Sequence, residues 1–175
     1  MVNGAKMKCI FCSAPLPKQG LNCNYCNKLN PLNAKVLEDI KEKKSQSQHL
    51  CPICETPLKE LENGSMTLEY CLKCDGIFIE EEAFEKLIEY KAHPTNQFNP
   101  YYLRFIQDHP RDNRKKTQFH NCPVCKEIMH VINYKKQSGI LLDICEEHGI
   151  WLDGGELQQI IEWYAVGGNK KTRNL

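Results

Sequence analysis

Cysteine placement constrains this chain more than any other feature. Its eleven cysteines fall at two-residue spacings: Cys9/Cys12, Cys23/Cys26, Cys51/Cys54, Cys71/Cys74 and Cys122/Cys125, with Cys145 set at the same spacing from His148. Taken two pairs at a time, they make three sets of four donors and leave no cysteine over. A C-x2-C turn aims two sulfurs at one ion, and two such turns supply the tetrahedron that structural zinc takes. The candidate ligands are therefore Cys9, Cys12, Cys23 and Cys26; Cys51, Cys54, Cys71 and Cys74; and Cys122, Cys125, Cys145 and His148. Three zinc ions per chain are expected.

Zinc fits the size of the pieces. Each set spans roughly 20 to 30 residues, too few to be held by an apolar core alone. A structural zinc site contributes about 10–16 kcal/mol of binding free energy, which is also folding free energy. The reading is therefore of several small metal-pinned modules in place of one large core. Ligand thiols need a reducing compartment, and neither an apolar N-terminal run nor a stretch of about 20 apolar residues is present, so a cytoplasmic location is expected. Disulfides are disfavoured by the odd cysteine count. Metal also changes the charge: eleven thiolates subtract eleven and three Zn²⁺ return six, taking the formal +1 to −4. That is not the balance of a generally basic nucleic-acid binder.

Two stretches repeat each other. Cys51-Pro-Ile-Cys54 leads to Cys71-Leu-Lys-Cys74-Asp-Gly-Ile-Phe-Ile-Glu80, and Cys122-Pro-Val-Cys125 leads to Cys145-Glu-Glu-His148-Gly-Ile-Trp-Leu-Asp153. Gly76 matches Gly149, Phe78 matches Trp151 and Tyr90 matches Trp163, and the second copy has one residue fewer after its last ligand. Each copy reads as a β-hairpin followed by a helix. Asn63-Gly64 is a hairpin turn signal before the alternating Met66, Leu68 and Tyr70. In the second copy the turn falls near Lys135 to Gly139, with Ile140, Leu142 and Ile144 alternating after it. Asp153 and Glu156 form a capping-box pattern ahead of a helix with Leu157, Ile160, Ile161 and Tyr164 on one face; Phe84, Leu87 and Ile88 do the same in the first copy.

The expected fold is thus a small zinc-stabilised α+β protein of three zinc ribbons, each a β-hairpin module, the second and third followed by a short α-helix. The boundaries read as an N-terminal four-cysteine ribbon at 1–34, a helical and polar linker at 35–48, repeat 1 at 49–92, a connector at 93–119, repeat 2 at 120–166 and a basic tail at 167–175. The connector carries an apolar-aromatic cluster, Tyr101, Tyr102, Leu103, Phe105 and Ile106, read as a short helix packed between the repeats or as a partner-docking segment.

Cys-Pro-x-Cys, then Cys-x2-Cys/His, then Gly-Ile-Trp-Leu-Asp with a following Glu-Leu, resembles the small bacterial zinc ribbons named for transcription factor IIB. The resemblance covers 51–90 and 122–163. Repeat 1 departs from it with Phe78 for the Trp and Glu80 for the Asp, and repeat 2 with His148 for the last cysteine. It implies a fold; transcription follows only by analogy of fold.

Four ligands per set favour closed structural sites over catalytic ones, which keep an open position. No catalytic triad, phosphate loop or paired-carboxylate arrangement stands out, so no enzyme is expected. His130 is a rival to His148 in the third set. Rubredoxin-like iron and thiol redox chemistry are further alternatives, disfavoured by the histidine and by metal-held thiols respectively. His49 and His120, each two residues before a repeat's first cysteine, are read as flanking the ligands without binding metal.

Two partner classes remain. Lys6, Lys8, Lys18, Lys28, Arg111, Arg114, Lys115 and Lys116 form basic clusters, and Phe11 and Tyr25 inside the N-terminal turns offer rings to stack on bases. Against nucleic acid stand the acidic helices, with Glu80, Glu81, Glu82, Glu85 and Glu89 in repeat 1 and Asp153, Glu156 and Glu162 in repeat 2. A protein-interaction adaptor is the favoured expectation, a nucleic-acid or transcription-associated protein the second. No membrane contact is expected.

Overall fold

Hairpin and helix signals give the elements of each repeat, and strand pairing then joins the repeats. The computed structural model describes Cys9, Cys12, Ala14, residues 23–27, Asn30, Val36, Leu37, and residues 39–92 and 119–169. Repeat 1 carries β1 (Lys41–Leu50), β2 (Pro57–Asn63), β3 (Met66–Tyr70), β4 (Ile77–Ile79) and α1 (Glu81–Lys91). Repeat 2 carries β5 (His130–Asn133), β6 (Leu141–Cys145), β7 (Gly149–Leu152) and α2 (Glu156–Ala165). Asn63 pairs with Met66 across a two-residue loop whose Gly64 is left-handed, as the Asn-Gly signal predicts. The second hairpin turns through left-handed Lys135, Lys136 and Gly139.

All seven strands form one antiparallel sheet in the order β1-β2-β3-β4-β7-β6-β5. The joint is β4 against β7, with Ile77 opposite Leu152, Phe78 opposite Trp151 and Ile79 opposite Ile150. This corrects the expectation of separate modules: repeats 1 and 2 share a sheet and a core. The reason lies in the two short strands. Ile77–Ile79 and Gly149–Leu152 are buried at every position, so neither is an edge strand with one wet face.

A second correction concerns the polar run after Ile40. Read as a linker, it forms the ten-residue edge strand β1 instead. Backbone pairing to β2 and cross-strand charge pairs hold it, Lys43–Glu60 at 2.9 Å and Lys59–Glu42 at 2.6 Å. Register shifts on either side of Gln46, together with Lys41 and Lys43, blunt the edge against further pairing. Just before it, Leu37 and Ile40 are buried in the main core.

Period-two alternation sorts the sheet's two faces. One face packs Met66, Leu68, Ile77, Ile79, Leu142, Ile150 and Leu152 against Phe84, Leu87 and Ile88 of α1 and Leu157, Ile160 and Trp163 of α2. Tyr134 ties the two helices there, edge-on to Phe84 at 5.7 Å and to Trp163 at 6.0 Å between centroids. Trp163 takes the inward position, and Ile161 and Tyr164 are only partly buried. Helix α2 starts later than the capping box implies: Gly155 is the N-cap, left-handed at φ +90°. Glu156 does accept from the Asp153 backbone N–H at 2.8 Å, and the Asp153 side chain accepts from Trp151 Nε1 at 2.8 Å. The connector residues 93–118, including the aromatic cluster, lie outside the described residues.

Candidate metal centres

The opposite face carries the ligand turns of both repeats. Four of the five C-x2-C turns close in one way. The backbone N–H after the second cysteine donates to the carbonyl of the first: Asn27 to Cys23, Glu55 to Cys51, Asp75 to Cys71 and Lys126 to Cys122, at 2.9–3.0 Å. Those four donors are left-handed non-glycine residues, φ +54° to +68°, the strain a tight turn tolerates when its two sulfurs must converge. The first cysteine's own N–H then donates to the residue five on, as Cys51 does to Thr56 and Cys71 to Gly76. Cys145–His148 is the exception. With one residue fewer before the strand there is no left-handed spacer, and Gly149 at φ +130° turns the chain straight into β7.

The twelve candidate ligands come together as three groups, Cys9/Cys12/Cys23/Cys26, Cys51/Cys54/Cys71/Cys74 and Cys122/Cys125/Cys145/His148, with all donor atoms of a group within 4.8 Å of one another. The sulfurs of Cys9 and Cys26, of Cys12 and Cys23, and of Cys51 and Cys74 are 3.6 Å apart, those of Cys125 and Cys145 3.8 Å, and Cys145 Sγ is 3.3 Å from His148 Nδ1. Zn–S bonds of about 2.3 Å set tetrahedral edges of about 3.8 Å, so the donors stand where zinc would hold them. His130 is exposed at the start of β5, opposite Ile144, and is outside the group.

The chemistry of the thiols fits a cation. Backbone N–H groups point at sulfur, Cys54 to Cys51 at 3.3 Å and Val124 to Cys122 at 3.4 Å. The Cys26 backbone N–H holds the Cys23 thiol low, and the Glu127 N–H does the same for Cys125. Contact with Cys51 and Cys74 drives the Cys71 thiol far down, while contact with Cys71 pushes Cys51 up to about 12. Burial pushes Cys122 up to about 11. Packed this closely, the thiols of one set cannot all ionise by themselves; a dication removes that conflict.

Between the two repeat sites lies a second apolar cluster: Cys51, Cys71 and Cys122 with Leu58, Phe78, Met129 and Trp151. Two glycines set its closeness. A Cβ on Gly76 would lie 2.2 Å from Trp151 Cζ2, and one on Gly149 would lie 2.4 Å from the Ile79 carbonyl oxygen. Each repeat's glycine after its last ligand is thus the space into which the other repeat fits.

Sequence reasoning missed a polar pair that both repeats build. His49 Nδ1 donates to Glu69 at 2.9 Å, and His120 Nδ1 donates to Asp143 at 3.1 Å. Each histidine is two residues before a first ligand and each carboxylate two before a third, so the repeat itself carried the signal. Glu69, Phe78, Trp151 and Asp143 are successive cross-strand neighbours, an aromatic pair flanked by a carboxylate on each side. In repeat 2 the pair is buried, and Asp153 joins it in a group with donor atoms within 4.8 Å. Asp153 and Glu156 are buried as well, so of the three acidic residues expected to charge the second helix's surface only Glu162 is partly exposed.

Comparison with known proteins agrees with this geometry. Residues 50–90 and 121–163 each match the family described as transcription factor zinc-finger, the transcription factor IIB-type zinc ribbon. No curated protein and no solved structure matched the chain. Each of the two sheet-joined repeats is thus similar to the transcription factor zinc-finger family, and the two copies of its ligand scaffold meet at Gly76, Gly149 and Trp151.

Proposed function

We propose that the chain is a non-catalytic adaptor held in shape by three zinc ions, docking a protein partner on the metal turns of repeat 1. The observation that carries this reading is the exposure of Leu50, Ile53 and Leu72, at 44 %, 44 % and 63 %, around those turns. Repeat 2 has polar Asn121 and Glu146 where repeat 1 has Leu50 and Leu72, and Val124 where it has Ile53, so the metal scaffold does not require apolar side chains at the first and last of these positions. Grouped exposed apolar residues mark interaction surfaces. Four donors in each set make closed sites, which supports a structural and not a catalytic role for the metal. The family is generally non-catalytic as well. Reduced thiols favour the cytoplasm; no helix of the described residues is long and apolar enough to cross a membrane.

A nuclease-treated affinity pull-down from native lysate, compared with the same chain carrying Leu72→Glu, tests the surface. A partner retained by the parent chain and lost from the variant supports it; an identical set of partners for both overturns it. Elemental analysis is expected to give about three zinc ions per chain, by the ligand count, and iron in their place would revive the electron-carrier alternative.

The second reading is nucleic-acid binding through the N-terminal ribbon, favoured by Tyr25, 73 % exposed between Cys23 and Cys26. An exposed ring in that place is a stacking platform. The basic residues that would accompany it, Lys6, Lys8, Lys18, Lys28, Arg111, Arg114, Lys115 and Lys116, lie outside the described residues. A salt-sensitive gel shift abolished by Tyr25→Ala and unaffected by Leu72→Glu would put this reading first.

A further inference from the structure

We infer that the two repeat sites bind zinc cooperatively, coupled through the β4–β7 joint, and that the N-terminal site stands outside this coupling. The inference rests on zinc being the ion at both repeat sites. Its physical basis is the position of the joint relative to the ligands. Trp151 lies three residues after His148, yet its ring packs on Gly76, two residues after Cys74 of the other site. Gly149, the residue next to His148, packs on the backbone of Ile79 and Glu80. Cys51, Cys71 and Cys122 share one buried cluster with Phe78 and Trp151, and Cys54, Cys74, Cys125 and Cys145 pack against it.

Zinc at the second site fixes Cys145 and His148, and so fixes where Gly149 and Trp151 begin. That places the surface on which the turn Cys71–Gly76 of the first site closes. The reverse holds equally, since coupling between two binding equilibria is reciprocal. Two states suffice: a joined sheet in which both tetrahedra are set, and a parted one in which the donors of each repeat must be ordered by its own ion alone. An ion that binds the joined state better shifts both sites at once. The described N-terminal ligands, Cys9, Cys12, Cys23 and Cys26, belong to neither apolar cluster. Among the described residues, none of these four ligands belongs to the joint.

The test uses the full chain carrying Cys9→Ser and Cys12→Ser, half-saturated with zinc and examined by native mass spectrometry. Two independent sites, equal or unequal, leave at least about half of the chains singly loaded, whereas a tenfold coupling between sites of equal affinity, within the ordinary range, lowers that fraction to about a quarter. A singly loaded fraction at or above half that Trp151→Phe does not raise further overturns the inference. At saturation the same spectra report how many ions bind, so absence of zinc is distinguished from absence of coupling. Trp151→Phe removes the ring atoms that reach Gly76 and is expected to return the singly loaded fraction toward half. Trp163→Phe, on the helix face, is expected to leave it unchanged. If Trp163→Phe shifts it as far as Trp151→Phe does, general destabilisation sets the coupling and the inference fails.

Discussion

Repeats 1 and 2 share a ligand scaffold and differ in what they do with its surroundings. In repeat 1 the histidine–carboxylate pair is partly open, with His49 35 % and Glu69 13 % exposed, and apolar side chains stand in solvent around the metal turns. In repeat 2 the corresponding pair is 7 % and 0 % exposed, Trp151 replaces Phe78, and α2 tucks Glu156 and Gln159 inside. The histidine–carboxylate pair is open in one copy and buried in the other, while repeat 2 has exposed apolar side chains of its own beside its first metal turn, Phe119 and Ile128 at 65 % each. Ligand spacing is therefore compatible with either arrangement; what differs is the burial of the residues two places before the first and third ligands and the ring after the last, Phe78 four places on in repeat 1 and Trp151 three places on in repeat 2.

Several substitutions would break or sharpen this contrast. The largest effect is expected from Trp151→Ala. Trp151 is fully buried at the joint, and truncating such a side chain costs about 3–5 kcal/mol, read as a lowered midpoint in denaturant titration of the zinc-loaded protein. Next, Asp143→Ala strips a partner from a buried pair and is expected to cost about 3–5 kcal/mol, whereas Glu69→Ala, at the more open pair, costs about 1 kcal/mol or less. Equal losses would mean that the two pairs are equivalent and that burial does not separate the repeats. Gly149→Ala combines a positive φ with a clash against Ile79 and is expected to cost about 1–3 kcal/mol. Gly64→Ala, left-handed but with nothing within 4 Å of a Cβ, carries only the left-handed penalty of about 1 kcal/mol. Lys59→Ala, which removes an exposed ion pair to Glu42, is expected to change stability by less than about 1 kcal/mol and to leave β1 in place.

The metal turns and both hairpins were legible because their signals are local: C-x2-C spacing, Asn63-Gly64, and period-two alternation at Met66, Leu68 and Tyr70. Helix faces were legible through Phe84, Leu87, Ile88, Leu157 and Ile160. What stayed hidden depends on residues far apart in the chain. Strand β1 has no apolar alternation to betray it, since an edge strand held by backbone pairing and by Lys43–Glu60 needs none. The joining of the repeats was signalled only by two short runs, Ile77–Ile79 and Gly149–Leu152, whose continuous apolar character is the mark of strands wet on neither side. Burial of Asp143, Asp153 and Glu156 could not be read from residue type, because charge alone argues for a surface position. Of their partners only His120 is distant, 23 residues from Asp143; the Trp151 indole N–H and the Asp153 backbone N–H are two and three residues from the carboxylates they meet.

Strand order has one more consequence. The innermost strands, β4 and β7, come from different halves of the chain, so a cut anywhere between Ala92 and Phe119 would spare every pairing in the sheet. Two co-expressed fragments ending and beginning there would each present an unsatisfied backbone ladder that only the other completes. The molecule is in this sense an intramolecular dimer, and its halves form a ready-made pair for fragment complementation.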